Sequence, residues 1–106
     1  MIEVALLYDL DRGVDPKAYA EWAKKAIGHV LRSPGLIEFR AHRNLLGSPQ
    51  IRSISVWESL ADWQDFSQSE TWQADEAELR GTFASVVRVE LWGPSPLVPE
   101  PLKPGK

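Results

Sequence analysis

Two kinds of hydrophobic periodicity alternate along this sequence, and their order constrains the fold more than any other feature. Apolar residues recur at every second position in Ile2 to Tyr8, Leu36 to Asn44, Ile51 to Trp57 and Phe83 to Trp92, which predicts four strands. Between the first two strands, apolar residues recur at spacings of three and four, which predicts a helix. A second helical segment separates the last two strands. The predicted order is therefore β-α-β-β-α-β.

Capping residues set the predicted ends of the helices. Asp15 supplies an N-cap carboxylate, and Pro16 follows it at the first helical position, where proline needs no hydrogen-bond partner. Ser59 is followed three residues later by an acid, as in a capping box, and Ser69 offers a second cap within the same segment. We therefore predict that the second helical segment breaks and restarts at Ser69 and ends near Gly81.

Two β-α-β halves joined by a hairpin define a ferredoxin-like α+β fold, a four-stranded antiparallel sheet with the helices on one face. The 106 residues of the chain suffice for one such domain, which we place at residues 1–93. Residues 94–106 contain five prolines, which exclude a helix or an interior strand and predict an extended tail. This Pro-rich tail is either disordered or docked on a partner subunit.

The alternation within the strands divides the sheet residues between two faces. The residues predicted to face the helices are Val4, Leu6, Ile37, Phe39, Trp57, Val87 and Val89. The opposite face mixes apolar and charged residues, namely Ala5, Leu7, Ile54, Val56, Val86 and Trp92 with Glu38, Arg40, Arg88 and Glu90. Such a face is poorly suited to water but can pack on its own copy, with charges paired across a two-fold axis. We therefore predict a homodimer through this face.

Composition excludes several classes of function. The absence of cysteine excludes disulfides, thiolate nucleophiles and cysteine-ligated zinc. The two histidines lie in different predicted elements, and the chain has no phosphate-binding or dinucleotide-binding glycine motif, so we predict neither a metal nor a bound cofactor. A net charge of -3 argues against nucleic acid, and no apolar run is long enough to span a membrane. Because the sequence starts without a signal-peptide pattern, we expect a cytoplasmic protein.

A family resemblance is carried by the third strand and the helical segment after it. The stretch that resembles antibiotic biosynthesis monooxygenase domains consists of Val56-Trp57-Glu58-Ser59 followed by Ala61, Trp63, Phe66, Ser69 and Trp72. The segment that opens the second strand, Ser33-Pro34-Gly35-Leu36, is similar to theirs as well. The resemblance implies a dimeric α+β barrel with a pocket between each sheet and its helices. It also implies that some members oxygenate aromatic substrates with O2 and without metal or flavin, while related members degrade haem.

The same resemblance supplies candidate site residues. The haem-degrading branch has an Asn on the first strand and a His on the second helical segment, where this chain has Tyr8 and Glu76, so haem degradation is not predicted. Trp57 matches the tryptophan that ends the third strand of such domains. The candidate catalytic residues are Tyr8, as a hydrogen-bond donor to a substrate oxygen, and Trp57, as a ring that orients the substrate. The candidate substrate-binding residues are Trp22, Phe39, Ser53, Ser55, Trp63, Phe66 and Trp72.

Three functions remain open at this point, because one fold can support each of them. The first is a monooxygenase-like enzyme that binds a small aromatic molecule and oxygenates it with O2 and without a cofactor. The second is a non-oxidative isomerase of the same barrel type, and the third is a non-catalytic ligand-binding or assembly module. Outside the pocket, His29 is interpreted as a helix-edge residue and His42 as a group on the charged strand face.

Overall fold

The computed structural model describes residues 1–105 and has the predicted element order, with the second helical segment divided in two. The strands are β1 (Ile2–Tyr8), β2 (Leu36–Arg43), β3 (Ile51–Trp57) and β4 (Val87–Trp92), which form one antiparallel sheet in the order β2-β3-β1-β4. The helices are α1 (Pro16–Leu31), α2 (Leu60–Ser67) and α3 (Glu70–Glu78), and a π-helical turn (Leu79–Phe83) extends the last of them. The predicted ferredoxin-like α+β fold is confirmed.

Side-chain caps explain where the helices begin. The Asp15 carboxylate accepts a hydrogen bond from the first backbone turn of α1 at 3.0 Å. Ser59 Oγ accepts one from the Asp62 N–H, and Ser69 Oγ accepts one from the Trp72 N–H, each at 3.2 Å. Because each serine satisfies a backbone donor that the helix itself leaves free, α2 and α3 start separately. The predicted break at Ser69 is confirmed.

The fourth strand is shorter than the sequence pattern predicts, since it begins at Val87 rather than Phe83. The preceding backbone is bonded to the β1–α1 connection instead of the sheet. The Phe83 carbonyl accepts a hydrogen bond from the Asp11 N–H at 2.8 Å. The Asp11 carboxylate in turn accepts from the N–H and the hydroxyl of Ser85, at 3.0 Å and 2.9 Å. Phe83 therefore enters the core, where it is buried, and does not extend the strand.

A β-bulge in β2 changes which of its residues face the helices. The partners of Trp57 and Val56 on β3 are Leu36 and Glu38, so Ile37 is an extra residue without a partner in the ladder. Leu36 takes the place facing the helices, and Ile37 is 47% exposed. The prediction that Ile37 lies on the helix-covered face is therefore wrong.

Two buried clusters hold the helices on the sheet. The first consists of Tyr8, Trp22, Ala26, Leu79, Phe83 and Ala84. The second consists of Val4, Val30, Trp57, Phe66 and Trp72. Helix α1 contributes to both, so it crosses the sheet from one cluster to the other and covers the space between them.

The edge of the sheet and the tail lie outside these clusters. Val89 on β4 pairs with Leu6 on β1, yet it is 43% exposed because the helices pack over the centre of the sheet and not over this edge. The prediction that the helices cover Val89 is wrong. Residues 94–105 contain no helix or strand, and Leu97 and Leu102 are almost fully exposed. Among residues 1–105, none of the helices has the length and apolar character needed to cross a membrane.

Candidate functional site

A cavity of about 150 Å³ lies between α1 and the sheet, in the space that separates the two buried clusters. Strands β1, β2 and β3 form its floor, α1 forms its roof, and aromatic residues of α2 and α3 close one end. Its walls are almost entirely apolar. A concave apolar site with few polar groups is the usual form of a small-molecule site in proteins.

Eight residues singled out from the sequence line this cavity, namely Tyr8, Trp22, Phe39, Ser53, Ser55, Trp63, Phe66 and Trp72. The ninth, Trp57, lies behind the wall and is 0% exposed. Its ring packs on Phe66 and Trp63 at centroid distances of 5.3 Å and 5.9 Å, and its indole N–H donates to Ser55 Oγ at 2.8 Å. Trp57 can therefore act on the cavity only through the side chains that it supports.

Small side chains opposite each other keep this space open. On β3, Ser53 pairs with Leu6 of β1 and Ser55 pairs with Val4, so two serines occupy the floor where larger residues would fill it. The α1 residues on the roof recur at helical spacing and include two alanines: Tyr19, Trp22, Ala23, Ala26, Ile27 and Val30. The remaining wall residues are Ala41 and Ile51, which the sequence pattern did not single out for the site.

Two tyrosines that line the cavity, here called the tyrosine pair, are joined through their hydroxyl groups. The hydroxyl oxygens of Tyr8 and Tyr19 lie 2.6 Å apart, and either can donate to the other. Because each hydroxyl has one proton, one of the two protons stays free to donate to a ligand in either arrangement.

The environment of these tyrosines keeps both of them protonated. Burial raises the pKa of Tyr8 above its usual value near 10, and its hydrogen bond with Tyr19 raises this pKa further. Burial also raises the pKa of Tyr19, while the hydrogen bond with Tyr8 acts in the opposite direction. At neutral pH the tyrosine pair is therefore a hydrogen-bond donor and not a base.

A buried carboxylate holds one wall of the cavity in place. Asp75 on α3 is 3% exposed, and its Oδ2 lies 2.6 Å from Nδ1 of His29 on α1. Its backbone carbonyl accepts the indole N–H of Trp22 at 3.0 Å. The Lys25 ammonium lies 2.7 Å from a carboxylate oxygen of Glu78 and 3.9 Å from one of Asp75. These contacts fasten α3 to α1 and fix the Trp22 ring against the cavity.

This interhelical contact was not predicted from the sequence. His29, which was interpreted as a helix-edge residue, is only partly exposed because it packs against Asp75. The available signal was the spacing of Trp22, Lys25 and His29, which places them on one side of α1. Their partner on α3 could not be identified from that spacing alone. Within residues 1–105, no group of three or more acidic or histidine side chains is arranged to hold a metal ion.

Comparison with known proteins gives one family and several structures of the same fold. The model of the antibiotic biosynthesis monooxygenase family matches residues 1–77. No curated protein matches the chain. SnoaB, a cofactor-independent oxygenase from Streptomyces nogalater, superposes with a TM-score of 0.75 at 13% identity, covering 93% of this chain and 97% of SnoaB.

Two further structures have the same arrangement of elements. The protein At3g17210 from Arabidopsis thaliana has a TM-score of 0.77 at 18% identity, covering 90% of this chain and 96% of its own. A conserved protein from Methanosarcina mazei Go1 has a TM-score of 0.69 at 15% identity, covering 86% and 89% of the two chains. At these identities the likeness extends to the fold, and the chemistry has to be argued from the cavity.

Proposed function

Because this chain belongs to the antibiotic biosynthesis monooxygenase family, we propose that it oxygenates a small electron-rich phenol or hydroquinone with O2 in the cavity beneath α1. The support for this proposal is the position of the tyrosine pair, whose free proton is available at one end of an apolar cavity. An apolar cavity with a few neutral hydroxyl groups, and with no charged side chain from residues 1–105, matches a planar ring that carries a hydroxyl group. The aromatic wall residues provide faces and edges for such a ring.

The substrate itself can supply every electron that the reaction needs. For a hydroquinone, one oxygen atom of O2 forms a new C–O bond on the ring, and the O–O bond breaks. The ring hydrogen at that carbon ends on the new hydroxyl group, and the two phenolic hydrogens leave with the second oxygen atom as water. The product is a hydroxyquinone. Each oxygen atom takes two electrons from the ring, so this reaction requires no separate reductant.

The tyrosine pair would favour the form of the substrate that reacts with O2. A phenol must lose its proton before its ring gives up electrons easily; this proton passes to solvent before the ring enters the cavity, and solvent returns a proton when the second oxygen atom leaves as water. Donation from the Tyr8–Tyr19 pair to the resulting phenolate oxygen stabilises the negative charge. The apolar walls exclude water, which strengthens this hydrogen bond. Tyr8 is thus the proposed catalytic donor, Tyr19 fixes its orientation, and Trp57 is a positioning residue that supports Trp63 and Phe66.

Replacement of the proposed donor tests this function directly. O2 uptake by the purified protein with a hydroquinone should fall about 100-fold in kcat in Tyr8→Phe, the usual cost of removing one donor to a developing anion. The control is Ser67→Ala, which removes a hydroxyl group that bonds the Gln64 carbonyl on α2, outside the cavity. Equal rates in Tyr8→Phe and the unchanged protein would contradict the role of Tyr8. Ligand binding without O2 uptake would favour the non-catalytic binding module, and turnover without O2 would favour the isomerase.

The active species that we propose is a homodimer formed through the face of the sheet opposite the helices, here called the open face. Its centre carries Leu7 and Ile54, which are half-buried, and its edge carries Trp92, which is 60% exposed. In a single chain Ala5 and Val56 of this face are already buried, while Trp92 is largely in contact with water, and a second copy would cover it.

A further inference from the structure

We propose that the cavity admits substrates with a single aromatic ring and excludes fused ring systems, an inference that rests on the proposed function. The cavity volume is about 150 Å³. Benzene fits an apolar protein cavity of roughly this volume. A second fused ring therefore requires displacement of a wall, because protein interiors are close-packed.

The walls that would have to move are held by several contacts. The Trp22 indole is hydrogen-bonded to the Asp75 carbonyl, and Asp75 is itself fastened to α1 through His29. At the other end, Phe66 and Trp72 are 7% and 5% exposed, and their rings pack at a centroid distance of 5.4 Å. The floor consists of paired strands. A wider ring system thus competes with hydrogen bonds and ring packing on both sides.

The shape of the cavity adds a preference for substituents in line with the ring. The wall on β1 runs from Val4 to Tyr8, a length of about 13 Å at ~3.3 Å per residue. With its hydroxyl group at the tyrosine pair, a ring directs its para substituent along β1 toward Val4. The preferred substrate is therefore a one-ring phenol or hydroquinone substituted at the para position.

Two half-buried residues on α1 would set this size limit. Ala23 and Ile27 are four positions apart, so they lie on the same side of the helix, and both line the cavity. The variant Ala23→Leu places three additional carbon atoms in the cavity, and Ile27→Ala removes three. The matched controls, Ala20→Leu and Leu31→Ala, make the same changes at exposed positions of the same helix that do not line the cavity.

The test compares a one-ring ligand with a two-ring ligand under anaerobic conditions. Hydroquinone and naphthohydroquinone are titrated against tryptophan fluorescence and melting temperature. We expect the unchanged protein to bind hydroquinone at least about tenfold more tightly than naphthohydroquinone, since a ring system wider than the space between α1 and the sheet must displace packed side chains. Ile27→Ala should lower the ratio of the two affinities to about threefold or less, and Ala23→Leu should weaken the binding of hydroquinone about tenfold. Neither control should change the ratio.

The outcomes separate this inference from the function on which it rests. Equal affinity of the unchanged protein for both ligands would overturn the single-ring limit and leave the proposed oxygenation standing. A folded Ile27→Ala variant with the original ratio would overturn the role of α1 in that limit. If neither ligand binds and no phenol supports O2 uptake, the proposed function fails together with this inference.

Discussion

The two faces of the sheet are built by the same strands but differ in what covers them. On β1 and β3, alternate residues point to the helices and include Val4 at 2% and Trp57 at 0% exposure. The residues between them point to the open face, where Leu7 and Ile54 are half-buried without a covering helix. The helix-covered face borders a cavity within one chain, whereas the open face is the surface through which we propose that two chains associate.

Charge is distributed in different ways on these two faces. The polar groups of the cavity are neutral hydroxyls, because burial keeps the tyrosine pair protonated. The open face carries ion pairs between neighbouring side chains of one strand, Glu38 with Arg40 and Arg88 with Glu90. The free-energy cost of burying a charge is smaller when that charge already has a partner of opposite sign. The open face therefore carries paired charges that a proposed second copy could cover, whereas no charged side chain in the described part of the chain lines the cavity.

The largest expected effect comes from replacing one tryptophan on each face. Trp57→Ala should lower the free energy of unfolding by about 3–5 kcal/mol, because a fully buried ring leaves a void. The loss of stability in Trp57→Ala should not vary with protein concentration. Trp92→Ala should lower stability in a concentration-dependent way, because it acts on association. Urea unfolding at two protein concentrations measures the loss of stability in both variants. If only the loss in Trp57→Ala depended on concentration, Trp57 and not Trp92 would lie at the surface where two chains associate.

The next effect concerns assembly. Ile54→Arg places an unpaired charge at the centre of the open face and should weaken the dimer by about 2 kcal/mol or more, roughly 30-fold. Gln73→Arg adds the same charge at an exposed position of α3 and should leave the dimer intact. Sedimentation at micromolar concentration measures both. A mass near 11.9 kDa for the unchanged protein would show that the open face needs no partner.

A smaller effect is expected at alkaline pH, and it should come from the helix-covered face. In the folded protein the pKa of Tyr8 is raised, so the unfolded chain loses this proton first, near pH 10. Below that pH the contribution of Tyr8 to stability is fully present, and it is lost as the pH rises. Between pH 10 and pH 11 the loss should be about 1 kcal/mol. Urea unfolding across this range should show that the free energy of unfolding falls less steeply with pH in Tyr8→Phe than in the unchanged protein. Identical slopes would contradict the burial of the tyrosine pair.

The smallest effect is expected for the surface charges of the open face. Glu90→Gln removes the partner of Arg88, whose side chain is 74% exposed, and should change the free energy of unfolding by at most about 1 kcal/mol. The change should shrink further at high salt, because ions screen exposed charges. A loss several times larger would mean that the proposed dimer interface extends over the edge strand β4 and buries this pair.

Local patterns predicted the elements well, but contacts between distant segments could not be predicted. The bounds of β1 and β3 and both serine caps follow from residues next to each other in the chain. The start of β4 depends on Asp11, which binds Ser85 from the other end of the sequence. The bulge in β2 was missed because Leu36 and Ile37 are both apolar, so alternation does not decide which of them faces the helices.

The candidate site shows the same division. The aromatic walls could be predicted because Phe39 occupies a helix-facing position of its strand, and Trp22 and Trp63 lie on the apolar sides of their helices. The depth of each side chain could not be predicted, since Ser55 and Trp57 share one strand face and only the serine lines the cavity. The contact between His29 and Asp75 joins residues 46 positions apart, and no local pattern encodes such a pair.

The bulge in β2 also determines where evolution or design can alter the length of this sheet. Deletion of Ile37 would make Leu36 and Glu38 consecutive, opposite Trp57 and Val56, and every later side chain of the strand would keep its face. Deletion of one residue farther along β2 would turn the rest of the strand over and bring charged residues under the helices. The start of β2 is therefore a position where the chain can lose a residue while the later residues of the strand keep their orientation toward the same face of the sheet.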